Sequence, residues 1–131
     1  LLKKGLSIQS YSLFPKVSEV KALMSPGLQE IVFEIHPELC FWAIAGGRPM
    51  DHPKRKVEGY EERRALLSQE FGCDLWSRSR AFSVARPAKP DDLLDAVAAA
   101  WTARRIAEGT EGRLPEAPEK DANGLRMEMV F

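Results

Sequence analysis

The stretch "KPDDLLDAVAAAWTARRIAEG", residues 89–109, constrains the fold of this chain more than any other. Pro90 suits a first helical position, Arg104 and Arg105 suit a last turn, and Gly109 suits a stop, so a helix is expected from about Pro90 to Glu108. Ala96, Ala98, Ala99 and Ala100 let a neighbouring element pack very close to it. Three carboxylates crowd its start. Asp92 and Asp95 are three residues apart and Asp91 and Asp95 four, so both pairs can share a helix face. Acids in a first turn each stabilise the helix dipole by about 0.3–1 kcal/mol, which accounts for them without any ligand. Asp95 beside the alanine seam is expected to face a crevice instead, where a carboxylate is costly unless it is paired or bound to a cation.

The other segments are shorter. Apolar spacing predicts a helix within residues 8–24, starting near Ser12 with Pro15 in its first turn and stopped by Pro26-Gly27. In "LQEIVFEIHPELCFWAI", Ile31, Phe33 and Ile35 alternate with Val32, Glu34 and His36. Both faces are mostly apolar, which predicts an interior strand of a covered sheet, ended by Pro37. A short helix follows in "PELCFWAIAGG", closed by Gly46-Gly47. Residues 60–71, "YEERRALLSQEF", predict an amphipathic helix with Leu66, Leu67 and Phe71 inward, ended by Gly72. "RAFSVARP" reads as a short strand, and the alternation in "GLRMEMVF" as a terminal one.

The pattern is α/β within a single domain spanning residues 1–131, and it is short of strands. One buried strand with one late strand cannot cover this many apolar helix faces, even with a short strand in "RAFSVARP", so the chain reads as part of a larger sheet. It begins at Leu1, inside an apparently helical pattern, and a fragment of a longer polypeptide is expected. Apolar surface left by absent strands predicts self-association.

Nineteen basic residues balance nineteen acidic ones, so no global field attracts nucleic acid or anionic membrane. No apolar run approaches a membrane span and the first residues lack the order of a signal peptide, which points to a cytoplasmic protein without a membrane partner. Cys40 and Cys73 form no CxxC pair and are expected as reduced thiols.

Glu34 is a second carboxylate of interest, because a charge in an apolar strand needs a partner. An arginine such as Arg64 or Arg105 would serve. So would a divalent cation, shared with the acids of the alanine-rich helix. Mg²⁺ and Mn²⁺ take oxygen ligands, and one or two carboxylates plus substrate phosphate and water suffice.

"FEIHPELCFWAIAGGRPM", "GYEERRALL", "DDLLDAVAAAWTARRIA" and "GLRMEMVF", with "GLSIQSYSLFPKVSEV" before them, resemble the second half of a bacterial and archaeal family of unknown function predicted to be RNase H-like nucleases. The resemblance implies an RNase H-like fold, a mixed sheet flanked by helices. "DDLLDAVAAA" is similar to the acidic helix of Holliday-junction resolvases in that superfamily. By position, Asp92 and Asp95 would be helix ligands and Glu34 the strand ligand for Mg²⁺ or Mn²⁺, with nucleic acid as substrate. Asp91 and Glu38 match the pattern less closely. The superfamily's leading aspartate lies on the first strand of an opening β-meander that nothing before "LLKKGLSIQS" supplies, so the chain corresponds to the C-terminal portion of such a domain. The rival reading is a non-catalytic binding or structural module, in which the same acids cap a helix and form ion pairs.

Other candidates are weaker. His36 and Cys40 are four apart, but only His52 and Cys73 remain to complete a metal set. His36 near Glu38 reads as a hydrogen-bonded histidine rather than a general base. Lys54, Arg55, Lys56, Arg63 and Arg64 read as a solvated basic surface rather than a phosphate contact. Trp42, Trp76 and Trp101 read as core or interface.

Overall fold

The computed structural model describes residues 5, 7–72 and 89–131. The strand expected in "RAFSVARP", Cys73 and Trp76 all lie outside the described residues. In order, the elements are α1 (Ile8–Leu23), a 3-10 turn (Leu28–Glu30), α2 (Pro37–Ile44), α3 (Val57–Glu70), α4 (Pro90–Glu108), β1 (Arg113–Leu114) and β2 (Met129–Val130). The fold is mixed α/β, with four helices and one small antiparallel sheet among the described residues. No helix among them is long and apolar enough to cross a membrane.

The chain gathers into two compact units. One comprises Leu1–Phe33 and Pro118–Met127, the other Glu34–Ala117 and Glu128–Phe131. In the first, α1 begins earlier than its spacing predicts. The Ser7 hydroxyl accepts from the Ser10 backbone N–H at 3.0 Å, so Ser7 is the N-cap and Pro15 falls inside the helix. The Gln29 side-chain amide acts like a strand edge toward Arg126. It donates to the Arg126 carbonyl at 3.0 Å and accepts the Arg126 N–H at 2.8 Å. Asp121 closes the adjoining turn by accepting the N–H groups of Asn123 and Leu125.

The second unit is built on three helices that all touch one another. Its core is Cys40, Phe41, Leu67, Leu94 and Ala98, flanked by Ile35, Ile44, Tyr60, Val97 and Phe131. α4 has the bounds its sequence predicts and closes on Gly109 in the left-handed conformation, φ +67°. Ala98 is fully buried, but Ala96 and Ala100 are exposed, so the packed side of α4 is Leu94, Ala98, Trp101 and Thr102 and not the alanine run expected from the sequence. α2 starts on Pro37 and is closed by Gly46 and Gly47, both at positive φ. In α3, Leu67 is buried, Phe71 packs against the core from the helix end and Leu66 is half-buried.

Residues 31–35 do not form the expected interior strand. Ile31 belongs to the turn that follows the 3-10 segment, and the Glu34 carbonyl accepts a single bond, 2.8 Å long, from the Val130 N–H. Alternation prepares a segment for a sheet, but a strand exists only through its ladder, and the described residues supply no ladder here. The sheet pairs Arg113 with Val130 and Leu114 with Met129. Alternation at the C-terminus is real, and its inward face is Glu128 and Val130, while Met127 and Met129 face outward. Arg113 neutralises the buried Glu128 at 2.9 Å.

Candidate functional site

The carboxylates at the start of α4 have three different environments. Asp92 is exposed and accepts the Lys89 backbone N–H at 3.2 Å, satisfying one of the free donors of the helix end. Asp91 is half-buried one helical turn before Asp95. Asp95 sits at the edge of the core with its side chain 24% exposed, and Lys54 Nζ stands 3.2 Å from its Oδ2. The partner expected for Asp95 is Lys54.

Glu34 lies elsewhere on the chain path. Its side chain is exposed, not enclosed in a strand, and among the described residues it forms no ion pair. Neither arginine suggested for it is its partner: Arg64 pairs with Glu61, and Arg105 lies over the Trp101 ring. An exposed carboxylate keeps its hydration, so the charge that needed compensation in a buried strand needs none here. Among the described residues no three side chains of His, Cys, Asp and Glu gather closely enough to hold a metal ion.

Lys54 owes its position to a loop that is fixed from several sides. The backbone N–H groups of Asp51 and His52 donate to the Glu62 carboxylate at 2.8 and 3.1 Å. Burial pushes the Glu62 carboxyl up, but these two donors, with Arg63 and His52 nearby, more than offset that and hold it below its usual range. Arg63, only 3% exposed, donates to the carbonyls of His52 and Gly59 at 3.1 and 2.8 Å. Its other nitrogens grip Glu38 in a bidentate pair at 3.2 and 2.6 Å. Arg63 also lies over the Phe41 ring, 5.5 Å from its centre. Gly59 completes the arrangement, because a Cβ there would lie 2.2 Å from the Pro53 carbonyl oxygen.

These contacts revise the reading of the basic residues. Arg63 is an interior cation with its hydrogen bonds made, and cannot reach a phosphate in solvent. Lys54 is tied to Asp95. A glycine in the first turn of α3 was the sequence signal for this packing, since glycine inside a helix costs about 1 kcal/mol relative to alanine unless close approach requires it.

The core beside Asp95 is apolar and contains a thiol. Thr102 donates to Cys40 Sγ at 3.2 Å. Burial pushes the Cys40 thiol above its ordinary range; the Thr102 bond opposes that shift and the negative charge of Asp95 adds to it. Cys40 is free, buried and neutral, which suits packing and not metal ligation. His36, the N-cap residue of α2, is exposed four residues before it. A separate hollow of about 420 Å³ is lined by Ala45, Arg48, Met50, Asp51, Glu62 and Gln69, and does not include Lys54 or Asp95 in its wall.

Comparison with known proteins adds one decisive match. Residues 1–120 match the family described as proteins of unknown function, DUF429. The chain belongs to this family. No curated protein and no solved structure matches it. Family membership therefore covers the carboxylates of α4, the loop bearing Lys54 and the buried Arg63, without assigning any of them a role.

Proposed function

We propose that the chain is the C-terminal part of a divalent-metal-dependent nuclease of RNase H-like fold, acting on phosphodiester bonds of nucleic acid. The observation that carries this reading is Asp95, a part-buried carboxylate at the head of a core helix that already has a cation as its neighbour. In the proposal Asp95 and Asp92 hold the metal from α4, Asp92 exchanging its cap bond for it, with phosphate and water filling the remaining positions, and Glu34, which the described residues do not gather with them, is not a ligand. Mg²⁺ or Mn²⁺, when bound, supplies Lewis acidity and makes water a nucleophile at neutral pH. Asp95 anchors the site because its root is fixed by Leu94 and Ala98 in the core. Self-association belongs to the same proposal and is supported by the apolar residues that α1 exposes, among them Ile8, Tyr11 and Leu23.

Cleavage of a labelled oligonucleotide by the full-length protein, dependent on Mg²⁺ or Mn²⁺ and lost on Asp95→Asn, is the expected result. Cleavage that persists in chelator, or that survives Asp95→Asn, would refute it. The second reading, a non-catalytic module, is favoured by the Lys89–Asp92 cap and the Lys54–Asp95 pair, which satisfy both acids within the chain. Absence of cleavage by a well-folded full-length protein with either metal would select that reading.

A further inference from the structure

The outward face of the small sheet in the second unit carries an aromatic platform. Register pairs Leu114 with Met129, so Gly112 stands opposite Phe131, and these two exchange backbone hydrogen bonds. Side chains alternate along a strand, which puts Leu114, Met129 and Phe131 on the face opposite the buried Val130. A Cβ on Gly112 would lie 2.4 Å from the Phe131 ring, so the ring rests directly on the neighbouring backbone. Trp42, in the last turn of α2, meets that ring edge to face, with centroids 5.6 Å apart and planes at 78°. Gly47 flanks the indole, where a Cβ would lie 3.5 Å from Cζ2. Trp42 is held from two sides and is still 37% exposed, and Met129 and Leu114 continue the apolar stripe into solvent.

Arg48 follows Gly47 and is exposed. Its Nε donates to the Ala45 carbonyl at 3.2 Å, which fixes the guanidinium at the end of α2. Among the described residues it makes no ion pair, and its two terminal nitrogens have no partner. The one acid of α2, Glu38, is taken up by Arg63. We infer that this platform binds an unpaired base of single-stranded nucleic acid, the base stacked on Trp42 and the adjoining phosphate held by Arg48. The inference rests on the nuclease reading for the identity of its ligand, and names the form of substrate. An aromatic face with an uncompensated guanidinium beside it suits a ligand that is planar and anionic at once. An apolar protein surface laid on the stripe would leave Arg48 without a counter-charge. Only a base outside a duplex has a face free to stack on a side chain. The chain has no net charge, so stacking and not a general field supplies the affinity.

The test is fluorescence anisotropy of a short labelled oligo-dT strand mixed with the full chain, in chelator so that no cleavage intervenes. Trp42→Leu keeps apolar bulk and removes the aromatic face, and is expected to weaken binding about 5- to 150-fold. Trp42→Phe is expected to retain most of the affinity. Arg48→Gln is expected to reduce the slope of log K against log salt by about 0.7, the share of one phosphate. Arg48 is exposed, so this second variant tests the platform even where circular dichroism shows that Trp42→Leu has not folded. The duplex with oligo-dA is expected to bind less tightly than the single strand. Equal binding by parent and Trp42→Leu, tighter binding of the duplex, or no binding of the strand by the parent overturns the inference. If metal-dependent cleavage is seen beside any of these results, the nuclease reading stands without the platform. Binding that depends on Trp42, with no cleavage in Mg²⁺ or Mn²⁺, keeps the platform and refutes the nuclease.

Discussion

Gly59→Ala probes the packing that places Lys54. On a bare helix the change is favourable, since alanine is better than glycine by about 1 kcal/mol in a helix interior. Here the new Cβ would lie 2.2 Å from the Pro53 oxygen, 2.7 Å from the Pro53 carbonyl carbon and 2.9 Å from the His52 oxygen. All three atoms are backbone, so no side chain can rotate away. The loop must retreat by roughly 1 Å, and overpacking of this kind costs about 1–3 kcal/mol. Retreat also stretches the Arg63 bond to His52 and the Glu62 bonds to Asp51 and His52, hydrogen bonds involving charged groups that contribute about 1.5–3 kcal/mol each when wholly lost. With partial loss of these bonds set against the helix gain, we expect a net destabilisation of about 2–4 kcal/mol. Urea unfolding monitored by tryptophan fluorescence measures it. Gly27→Ala is the control, because its Cβ would find only Ser25 Oγ, 4.0 Å away. A Gly59→Ala protein as stable as the parent, or more stable, would refute the claim that the loop is pressed onto α3.

Three other outcomes are expected. Cys40 should resist alkylation in the native protein and react once urea unfolds it, because burial disfavours its thiolate; mass spectrometry of the labelled peptide reads this directly. Glu62 has its carboxyl held low in the folded protein, so its contribution is present above the unfolded carboxylate range and is lost as pH falls through the folded value. Urea midpoints measured downward from pH 6 should therefore fall less steeply in Glu62→Gln than in the parent, and identical slopes would contradict the assignment. Self-association through exposed apolar residues such as Ile8 and Leu23 predicts a scattering mass that rises with concentration, and a monodisperse monomer would contradict it.

What the sequence disclosed was what local chemistry decides. α4 is legible from end to end because proline, arginine and glycine mark its limits, but its packed side is Leu94, Ala98, Trp101 and Thr102, with one alanine of the run among them. α2 is bounded by Pro37 and the Gly46-Gly47 pair in the same way. α3 begins three residues before its apolar pattern does, because its first turn is set by Gly59 packing on residues 52–53 of the loop just before it and not by hydrophobic spacing. The segment around Glu34 shows the opposite failure. Its alternation is local, whereas the partner that would make it a strand is not, and the residue that looked buried is exposed.

The site divides along the same line. Asp95 was recognisable as a carboxylate that needs a cation because it stands on the helix between Leu94 and Ala98, which pack in the core. Which cation could not be read from the chain. Five basic residues between positions 54 and 64 look alike in sequence, yet one is an interior clamp and another reaches α4. Only the fold separates Arg63 from Arg64, by turning one helix face inward. Asp92 and Asp95 are equally acidic and three residues apart, and the cap bond of one against the ion pair of the other distinguishes them.

Anomalous diffraction from crystals of the full-length protein soaked in Mn²⁺ tests the central claim most directly. The account predicts a peak within coordination distance of an Asp95 carboxylate oxygen, about 2.0–2.3 Å. Mn²⁺ found only at other carboxylates would contradict it.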